Sequence, residues 1–262
     1  VLEEFWVNDL MMDRGRVVGV KAKYEGRFVE YPARIVIGAD GSHSWVAKRL
    51  GLFRDDYNEV FLAGRAYFAD CDPPLRTMEV HYDPYFFPGF VCLSPHPGYG
   101  DVVNVGIGYQ MSAYVRAKED VEALTRKFIE TSPFGEKLRK ARQISDWMGW
   151  RVPGAGQIGK TYAAGAMLIG DAGSFVDPFI LEGIANSVRS GGFAVQTALE
   201  ALAKGDFSES FLSIYQERWT AKMKPRIDAL QQMALVARNA GMLNATFHSL
   251  KANPGALKKM FG

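Results

Sequence analysis

Two aspartates in this chain of 262 residues each follow a short, continuous apolar run. Residues 35–39 precede Asp40, and residues 166–170 precede Asp171. Runs of this kind are typical of strands that are buried on both faces of a sheet. Ligands of α/β sheets bind outside the carboxyl ends of the strands, where a carboxylate can accept hydrogen bonds from ribose or ribityl hydroxyls. The two aspartates are therefore candidate ligand-binding residues.

Small residues surround both aspartates. Gly41 follows Asp40, whereas Gly170 and Ala172 flank Asp171. Such neighbours let the backbone of a cofactor approach closely. A strand-end turn with a helix N-cap also explains either site by itself. The presence of two such sites in one chain favours ligand binding.

Residues 154–159 match the pattern G-x-G-x-x-G of dinucleotide-binding loops. That fingerprint requires a strand before it and a long helix that opens within it. The next buried run begins at Ala166, which leaves no room for the helix. We therefore interpret residues 154–159 as a loop.

The sequence lacks the motifs of several other common catalytic and metal-binding sites. The four histidines form no H-x-x-x-H pair, and Cys71 and Cys92 lack the spacing of zinc ligands, so we predict no metal site. The chain contains neither a G-x-S-x-G elbow nor a P-loop. Its 31 basic and 29 acidic residues give a net charge of +2, so we expect no nucleic-acid partner. No apolar run reaches the roughly 20 residues of a membrane span.

The elements that position the aspartates begin with hairpins. Strands are predicted at residues 7–12, 17–24 and 28–31, with glycine in the turns between them. Residues 53–150 contain four further predicted strands, at 61–68, 78–82, 90–93 and 102–109, and a helix at 119–130. Prolines between these strands favour an antiparallel sheet with edges and loops.

The last third of the chain is predicted to be mostly helical. After the second aspartate, five aliphatic residues recur with helical spacing and predict one apolar helix face: Ile184, Val188, Val195, Leu199 and Leu202. We expect this helix to end near Gly205. Helical spacing continues from Phe211 to Ala234, with a stop near Gly241. From residue 229 onwards the chain is basic and apolar, without an acid. Such a tail can lie on a membrane surface, but we prefer a helical subdomain that packs on the core.

The two aspartate sites resemble motifs of a known superfamily. Residues 38–44, Gly-Ala-Asp-Gly-Ser-His-Ser, resemble the DG motif of FAD-dependent oxidoreductases of the hydroxybenzoate-hydroxylase type. Residues 170–173, Gly-Asp-Ala-Gly, resemble their GD motif. Within this superfamily the chain is most similar to the geranylgeranyl-reductase branch, through residues 88–90, 104–108 and 177–184. The resemblance covers nearly the whole chain.

The resemblance implies an α/β plus α+β fold. It consists of a GR2-type FAD-binding domain without its N-terminal βαβ unit, an antiparallel-sheet substrate domain and a helical C-terminus. We place the partial FAD-binding domain at 1–52, the substrate domain at 53–150, the continued FAD-binding domain at 151–205 and the helical region at 206–262. The family begins with a strand, a G-x-G-x-x-G turn and a helix. We therefore expect an N-terminally incomplete chain that binds FAD weakly alone or needs a partner chain.

The resemblance also implies a set of cofactor contacts, with FAD as the cofactor and NAD(P)H as a candidate electron donor. Asp171 would bind the ribityl chain, and Asp40 would lie near the pyrophosphate. The backbone N–H groups of Gly183 and Ile184 would face the N1–C2=O edge of the flavin, where negative charge collects on reduction. The remaining predicted cofactor-binding residues are Gly41, Gly170, Ala172 and Pro178.

The predicted substrate pocket consists of Phe90, Cys92, Ser94 and His96. By the resemblance, Phe90, Cys92 and Ser94 stand where the branch has an aromatic residue, tryptophan and phenylalanine, and His96 stands where it often has lysine. The implied reaction is hydride transfer from reduced FAD to double bonds of an apolar, isoprenoid-like substrate, and no catalytic residue is assigned. A monooxygenase or halogenase is the alternative, although Glu182 stands where halogenases have serine and would repel chloride. A non-catalytic remnant, or half of a split protein, is an alternative of another class. We expect a cytoplasmic protein, with peripheral membrane contact as the alternative placement.

Overall fold

The computed structural model describes residues 1–72, 75–96, 98–99, 101–154, 157–253 and 255. The chain forms two compact units. Unit 1 comprises residues 1–59 and 152–230, and unit 2 comprises residues 60–151 and 231–262. Each unit is therefore built from two stretches that are distant in sequence.

Unit 1 begins with a three-stranded antiparallel sheet, β1 (Trp6–Asp13), β2 (Arg16–Tyr24) and β3 (Arg27–Pro32). Its two turns contain Gly15 and Gly26 at φ values of 81° and 76°, a left-handed conformation that glycine adopts without steric cost. The predicted hairpins are thus confirmed.

The two apolar runs pair with each other. Strand β4 (Val36–Gly38) lies parallel to β12 (Ala166–Leu168), and β11 (Tyr162–Ala163) lies antiparallel on the other side of β12. The register joins Gly38 to Leu168. Because the two strands are parallel and in register, the turns that carry the two aspartates emerge at the same edge of the sheet.

Both faces of β12 are covered, whereas Ile37 of β4 is 37% exposed, so the run at residues 35–39 is not fully buried on both faces as predicted. On one face, Ala166 and Leu168 pack with Leu10, Val17 and residues of the short helix α1 (Trp45–Arg49). On the other face, Met167 packs with α4 (Ile184–Lys204) and with the N-terminal part of α5 (Glu209–Ala237). Successive side chains of a strand point to opposite faces. Because both faces of β12 are covered, residues 166–168 include no polar side chain.

Unit 2 is built on a sheet of order β10-β5-β8-β7-β6, with β9 also paired to β5. Its strands are β5 (Val60–Ala69), β6 (Glu79–His81), β7 (Gly89–Pro95), β8 (Val103–Gln110), β9 (Arg142–Gln143) and β10 (Met148–Pro153). Its helices are α2 (Met111–Ala117), α3 (Val121–Thr131) and α6 (Ala240–Ala252). Leu124 and Phe128 of α3 pack against alternate residues of β7 and β8, which include Val91 and Val105. The antiparallel sheet predicted between residues 53 and 150 is confirmed.

The aliphatic face predicted for α4 is not its buried face. We call these five residues the α4 stripe, and they are 81%, 73%, 52%, 62% and 44% exposed, in the order Ile184, Val188, Val195, Leu199 and Leu202. The buried positions of α4 are instead polar or small, namely Asn186, Ser190, Ala194, Thr197 and Ala201. Apolar residues usually mark the core-facing side of a surface helix, so α4 reverses the common pattern.

The predicted helix end near Gly241 was wrong. Helix α5 ends at Ala237, and Gly241 lies in the first turn of α6. The Asn239 side chain accepts a hydrogen bond from the Met242 N–H at 3.0 Å and caps α6. In the described part of the chain, no helix is long and apolar enough to cross a bilayer. The last basic and apolar positions of the tail, from Leu257 to Phe261, lie outside the described residues.

Candidate functional site

A cleft in unit 1 brings the two aspartate turns together. The first turn contributes Ser42, and the second contributes Asp171, Ala172, Gly173 and Ser174. The other lining residues are Leu52, Phe53, Arg54, Pro153, Gln157, Gly159, Lys160 and Leu168. The parallel pairing of β4 and β12 produces this arrangement, because it aligns the carboxyl ends of the two strands.

Asp171 has a half-buried carboxylate without a protein partner. Among the described residues, no N–H or O–H group donates a hydrogen bond to its side chain. Desolvation by burial raises the pKa of Asp171 above its ordinary value of 3.8. A ligand whose hydroxyl groups donate hydrogen bonds to this carboxylate would stabilise its ionised form.

Asp40 has the opposite environment, although its sequence context is similar. Its carboxylate accepts hydrogen bonds from the Ser44 hydroxyl at 2.6 Å and from the Val46 N–H at 3.1 Å. The Ser44 oxygen in turn accepts from the Ala47 N–H at 2.9 Å. Asp40 therefore fixes the start of α1, and Gly41 turns the chain at a φ of 77° so that Ser42 reaches the cleft.

Serines of α4 hold the second turn in place. The Gly170 N–H donates to Ser190 Oγ at 3.1 Å, and the Ser190 hydroxyl donates to the Ser187 carbonyl at 3.0 Å. Gly170 has a φ of 55°, and a Cβ atom there would lie 2.8 Å from Ser187 Oγ. Only glycine fits this approach, so the turn sits directly on the helix. Asp171 is thereby held beside the first turn of α4.

The N-terminus of α4 presents free amide groups next to Asp171. The N–H groups of Gly183 and Ile184 donate to no described residue, as the first amides of a helix have no partner within it. A Cβ atom at Gly183 would lie 3.1 Å from Asp171 Oδ1. Glu182 accepts a hydrogen bond from the Ala185 N–H at 2.8 Å. The remaining amides and the helix dipole favour an acceptor with negative charge.

The loop before α4 is organised by Asp177. Its buried carboxylate accepts hydrogen bonds from the N–H groups of Phe179 at 2.8 Å and Ile180 at 3.1 Å. Pro178 is buried beside it. Leu181 has a φ of 58°, a left-handed conformation that side chains other than glycine rarely adopt. The motif of the resembled family has glycine in this part of the loop. Leu181 therefore has a strained backbone conformation at a place where this sequence differs from the motif.

The loop interpretation of residues 154–159 is confirmed where the structure describes it; Ala155 and Gly156 lie outside the described residues. No long helix follows, since β11 starts at Tyr162. A Cβ atom at Gly159 would lie 2.7 Å from the Arg54 guanidinium, so the loop supports this side chain. Among the described residues, Arg54 forms no ion pair. Sequence reasoning missed Arg54 because no motif marks it.

The four predicted substrate residues lie along one strip of unit 2. Phe90, Cys92 and Ser94 alternate along β7 with Val91 and Leu93, which point into the core. They therefore share the opposite face of the sheet. Cys92 Sγ lies 3.3 Å from Ser94 Oγ. His96, just beyond β7, contacts the ring of Tyr67 at 5.5 Å between centroids.

An apolar pocket of about 660 Å³ adjoins this strip in unit 2. The residues lining it are Val80, His81, Tyr82, Pro84, Phe87, Phe134, Ala240, Leu243, Asn244 and Phe247. The Tyr82 ring lies 6.2 Å from the Phe90 ring and 6.1 Å from the Phe247 ring. Sequence reasoning did not find this pocket, and the only signal was the apolar character of Leu243 and Phe247.

Two curated relatives are similar to most of the chain. Digeranylgeranylglycerophospholipid reductase 1 of Methanopyrus kandleri is 30% identical over 233 residues, which are 86% of this chain and 58% of that protein. Digeranylgeranylglycerophospholipid reductase of Methanosarcina acetivorans is 30% identical over 260 residues, 96% of this chain and 59% of that protein. The chain thus spans little more than half the length of these relatives. No family model matches it.

Solved structures share the fold. A geranylgeranyl bacteriochlorophyll reductase-like protein from Thermoplasma acidophilum superposes with a TM-score of 0.74 at 22% identity, covering 97% of this chain and 68% of that one. The flavin-dependent brominase Bmp2 superposes with a TM-score of 0.76 at 18% identity, covering 97% and 63%. The expected fold class is confirmed.

The buried charge of Asp171 predicts a pH-dependent stability. A folded-state pKa above the unfolded value means that the ionised carboxylate destabilises the folded protein at neutral pH, and that protonation removes this cost. We expect Asp171→Asn to raise the urea midpoint at pH 7. The gain should shrink as the pH falls towards 3.8. The control Asp13→Asn, at an exposed turn, should change the midpoint little at either pH. Equal midpoints for Asp171→Asn and the wild type at pH 7 would contradict the assignment.

The conformation of Leu181 predicts an unusual order of stability among variants at this position. A β-branched residue is poorly tolerated at positive φ, so Leu181→Ile should lower the free energy of unfolding by about 1 to 2 kcal/mol. Leu181→Gly should stay within about 1 kcal/mol of the wild type because relief of strain offsets the lost side chain. The control Leu199→Ile, in helical backbone, should cost less than about 0.5 kcal/mol. Urea unfolding measures all three, and a neutral Leu181→Ile would show that the left-handed conformation is absent.

Proposed function

Because the chain is homologous to digeranylgeranylglycerophospholipid reductases over most of its length, we propose that it forms the flavin- and substrate-binding part of an FAD-dependent oxidoreductase. The proposed reaction is the reduction of carbon–carbon double bonds in an apolar, isoprenoid-like lipid. The observation that carries the proposal is the Asp171 carboxylate, which is desolvated, has no donor among the described residues and lies beside the free amides of α4.

The residues of the cleft fit FAD. Asp171 would accept hydrogen bonds from ribityl hydroxyls, which would satisfy a half-buried carboxylate that has no donor among the described residues. Gly170 and Ala172 keep the surface beside it free of large side chains. Arg54, without an ion pair in the described chain, would face the phosphates. Asp40 and Gly41 act indirectly, by placing Ser42 at the cleft.

Bound and reduced, FAD would supply a hydride from N5 to one carbon of the substrate double bond, and a proton from solvent would complete the saturated bond at the other carbon. The chain's contribution is electrostatic. Gly183 and Ile184 would donate their free N–H groups to the carbonyl edge of the flavin, and the positive end of the 21-residue helix α4 favours negative charge there. The loop that contains Pro178 is tied back just before these amides, since the Asp177 N–H donates to the Glu182 carbonyl at 2.7 Å. We thus assign the binding of FAD to unit 1.

Unit 2 is assigned the substrate. Its pocket of about 660 Å³ is lined mainly by rings and aliphatic side chains, which suits an isoprenoid chain. Phe90, Cys92, Ser94 and His96 extend the lining along β7 through the contact between Tyr82 and Phe90. His81, Tyr82 and Asn244 carry the polar side-chain groups among these lining residues and would meet a polar end of the lipid.

A monooxygenase of the same fold is the second candidate, supported by the likeness to the brominase Bmp2 and to a probable FAD-dependent monooxygenase from Pseudomonas aeruginosa. Glu182 opposes a halogenase, since its carboxylate already occupies an amide of α4 and would repel a halide. Substrate turnover that requires oxygen would identify the monooxygenase, whereas turnover under nitrogen with a chemical reductant identifies the reductase.

The cofactor assignment predicts the effect of one substitution on FAD binding. We expect Asp171→Ala to raise the Kd for FAD about tenfold, because it removes hydrogen bonds to a charged acceptor that are worth about 1.5 kcal/mol. Titration of the purified chain, followed by the flavin absorbance bands, measures the Kd. Asp13→Ala, an exposed control outside the cleft, should bind as the wild type does. An unchanged Kd for Asp171→Ala would contradict the assignment.

The substrate pocket predicts a separate effect. Phe247→Ala removes a ring from the lining and should weaken the binding of geranylgeraniol at least fivefold, as expected for one aromatic contact of about 1 kcal/mol. The control Met242→Ala changes an exposed residue of the same helix that does not line the pocket. Quenching of intrinsic fluorescence reports the binding. If both variants bind equally well, the isoprenoid site lies elsewhere.

A further inference from the structure

The groove between α4 and α5 is a cavity of unit 1 that the proposed function does not use. Its volume is about 410 Å³, which lies within the range of small-molecule sites. Helix α4 contributes Asn186, Arg189 and Phe193 to its wall, at a spacing that places them on one helix face. The residues that line this groove line neither the cleft at Asp171 nor the apolar pocket of unit 2. The groove is therefore a separate candidate site.

The floor of the groove is apolar. Met223 and Ile227 of α5 are only 4% and 5% exposed and belong to the core of unit 1. Leu230 continues this row of α5, and Phe193 adds a ring from α4. Because these side chains leave part of their surface open to the groove, an apolar group placed there would be removed from water together with them.

The rim of the groove carries three cations. Arg189 comes from α4, and Lys222 and Arg226 come from α5. All three are exposed, and in the described chain their side chains form neither an ion pair nor a hydrogen bond. No acid is among the described residues that line the groove, although the whole chain has 31 basic and 29 acidic residues. Like charges four residues apart destabilise a helix, so an anion between Lys222 and Arg226 would relieve their repulsion.

Both walls of the groove are fixed by one buried ring. Asn186 Nδ2 donates a hydrogen bond to the Phe175 carbonyl at 2.9 Å, which anchors the α4 wall. The Phe175 ring meets the Trp219 ring of α5 edge-on, with 5.2 Å between the centroids. Trp219 lies one turn before Met223, so the same contact anchors the α5 wall. A preformed site of this kind loses little entropy on binding.

We propose that this groove binds an anionic phosphate ester that carries an apolar chain. The phosphate would lie among Arg189, Lys222 and Arg226, since guanidinium groups donate paired hydrogen bonds to phosphate oxygens and an ammonium group adds charge. The chain would follow Phe193 and Leu230. Inorganic phosphate would leave the floor in water, and an uncharged lipid would leave the cations without a partner. An anionic amphiphile satisfies both parts of the groove.

Two sources share this chemistry, namely a phospholipid in a membrane surface and a soluble phosphate ester. The inference rests on the charge and packing of one groove in unit 1. It uses neither the flavin contacts of Asp171 nor the apolar pocket of unit 2, so it can fail while the proposed function stands, and the reverse.

The test titrates the purified chain with short-chain lipids below their critical micelle concentrations, followed by isothermal titration calorimetry. We expect dihexanoylphosphatidylglycerol, which is anionic, to bind at least tenfold more tightly than dihexanoylphosphatidylcholine, which has the same chains and no net charge. Inorganic phosphate should also bind at least tenfold more weakly. Lys222→Gln should raise the Kd of the anionic lipid about tenfold, because it removes a charge-assisted hydrogen bond.

The matched control is Lys224→Gln, which removes the same charge from the same helix. Two residues correspond to about 200° of a helix, so Lys224 lies on the other side of α5. There it pairs with Asp228 and does not line the groove. Its substitution should change the Kd of the anionic lipid less than twofold. Phe247→Ala, in the pocket of unit 2, should also change it less than twofold.

Vesicles distinguish the two sources. Sedimentation with phosphatidylcholine vesicles that contain phosphatidylglycerol, and a loss of this binding in Lys222→Gln, would identify a membrane phospholipid as the ligand. Binding of the monomeric anionic lipid without binding to these vesicles would identify a soluble phosphate ester. Either result supports the proposal.

Four results would overturn the proposal. The first is equal or undetectable binding of the anionic and the uncharged lipid. The second is inorganic phosphate that binds as tightly as the anionic lipid. The third is an equal effect of Lys222→Gln and Lys224→Gln, which would indicate a general effect of charge. The fourth is a Phe247→Ala variant that weakens binding as much as Lys222→Gln does. Far-UV circular dichroism checks the fold, which should persist because Lys222 is exposed.

Discussion

The close packing of α4 on the turn after β12 is the constraint on which the rest of the structure depends. Gly170 allows the turn to touch Ser187, and Ser190 bonds to its amide. Ser187 and Ser190 are small enough for this contact, and the other buried residues of α4 are alanine, threonine and asparagine. The large aliphatic residues are displaced to the other side of the helix. One helix therefore carries both the free amides of the candidate cofactor site and the α4 stripe.

The two aspartates show how one local pattern serves two purposes. Asp40 is bonded to Ser44 and to the Val46 amide, so its charge stabilises the turn that contains it. Asp171 has no such donors among the described residues, and its charge is desolvated. A functional group that the protein leaves unsatisfied costs stability until a ligand binds. The difference between the two sites lies in whether the following residues supply donors.

Several features could be predicted from the sequence because they depend on local pattern. The hairpins, the strands of the two apolar runs, the loop at 154–159 and four of the six strands of unit 2 (β5, β6, β7 and β8) follow from periodicity and glycine placement, whereas β9 and β10 were not predicted. The parallel pairing of the two runs and the cleft residue Arg54 were not predicted. The pocket lined by Phe247 also escaped prediction, because β6 and α6 are distant in sequence. The domain bounds and the roles of the site residues stay predictions.

The sequence by itself determined where α4 starts and stops and that it has an apolar face, since helix caps and a 3.6-residue period are local properties. Only the tertiary structure decided that this face is exposed while a face of small residues is buried. The physical reason is that periodicity reports hydrophobicity alone, whereas packing also depends on how closely two backbones approach. Likewise, the sequence placed Asp171 at a strand end, but only the folded chain decided that its carboxylate stands beside the free amides of Gly183 and Ile184.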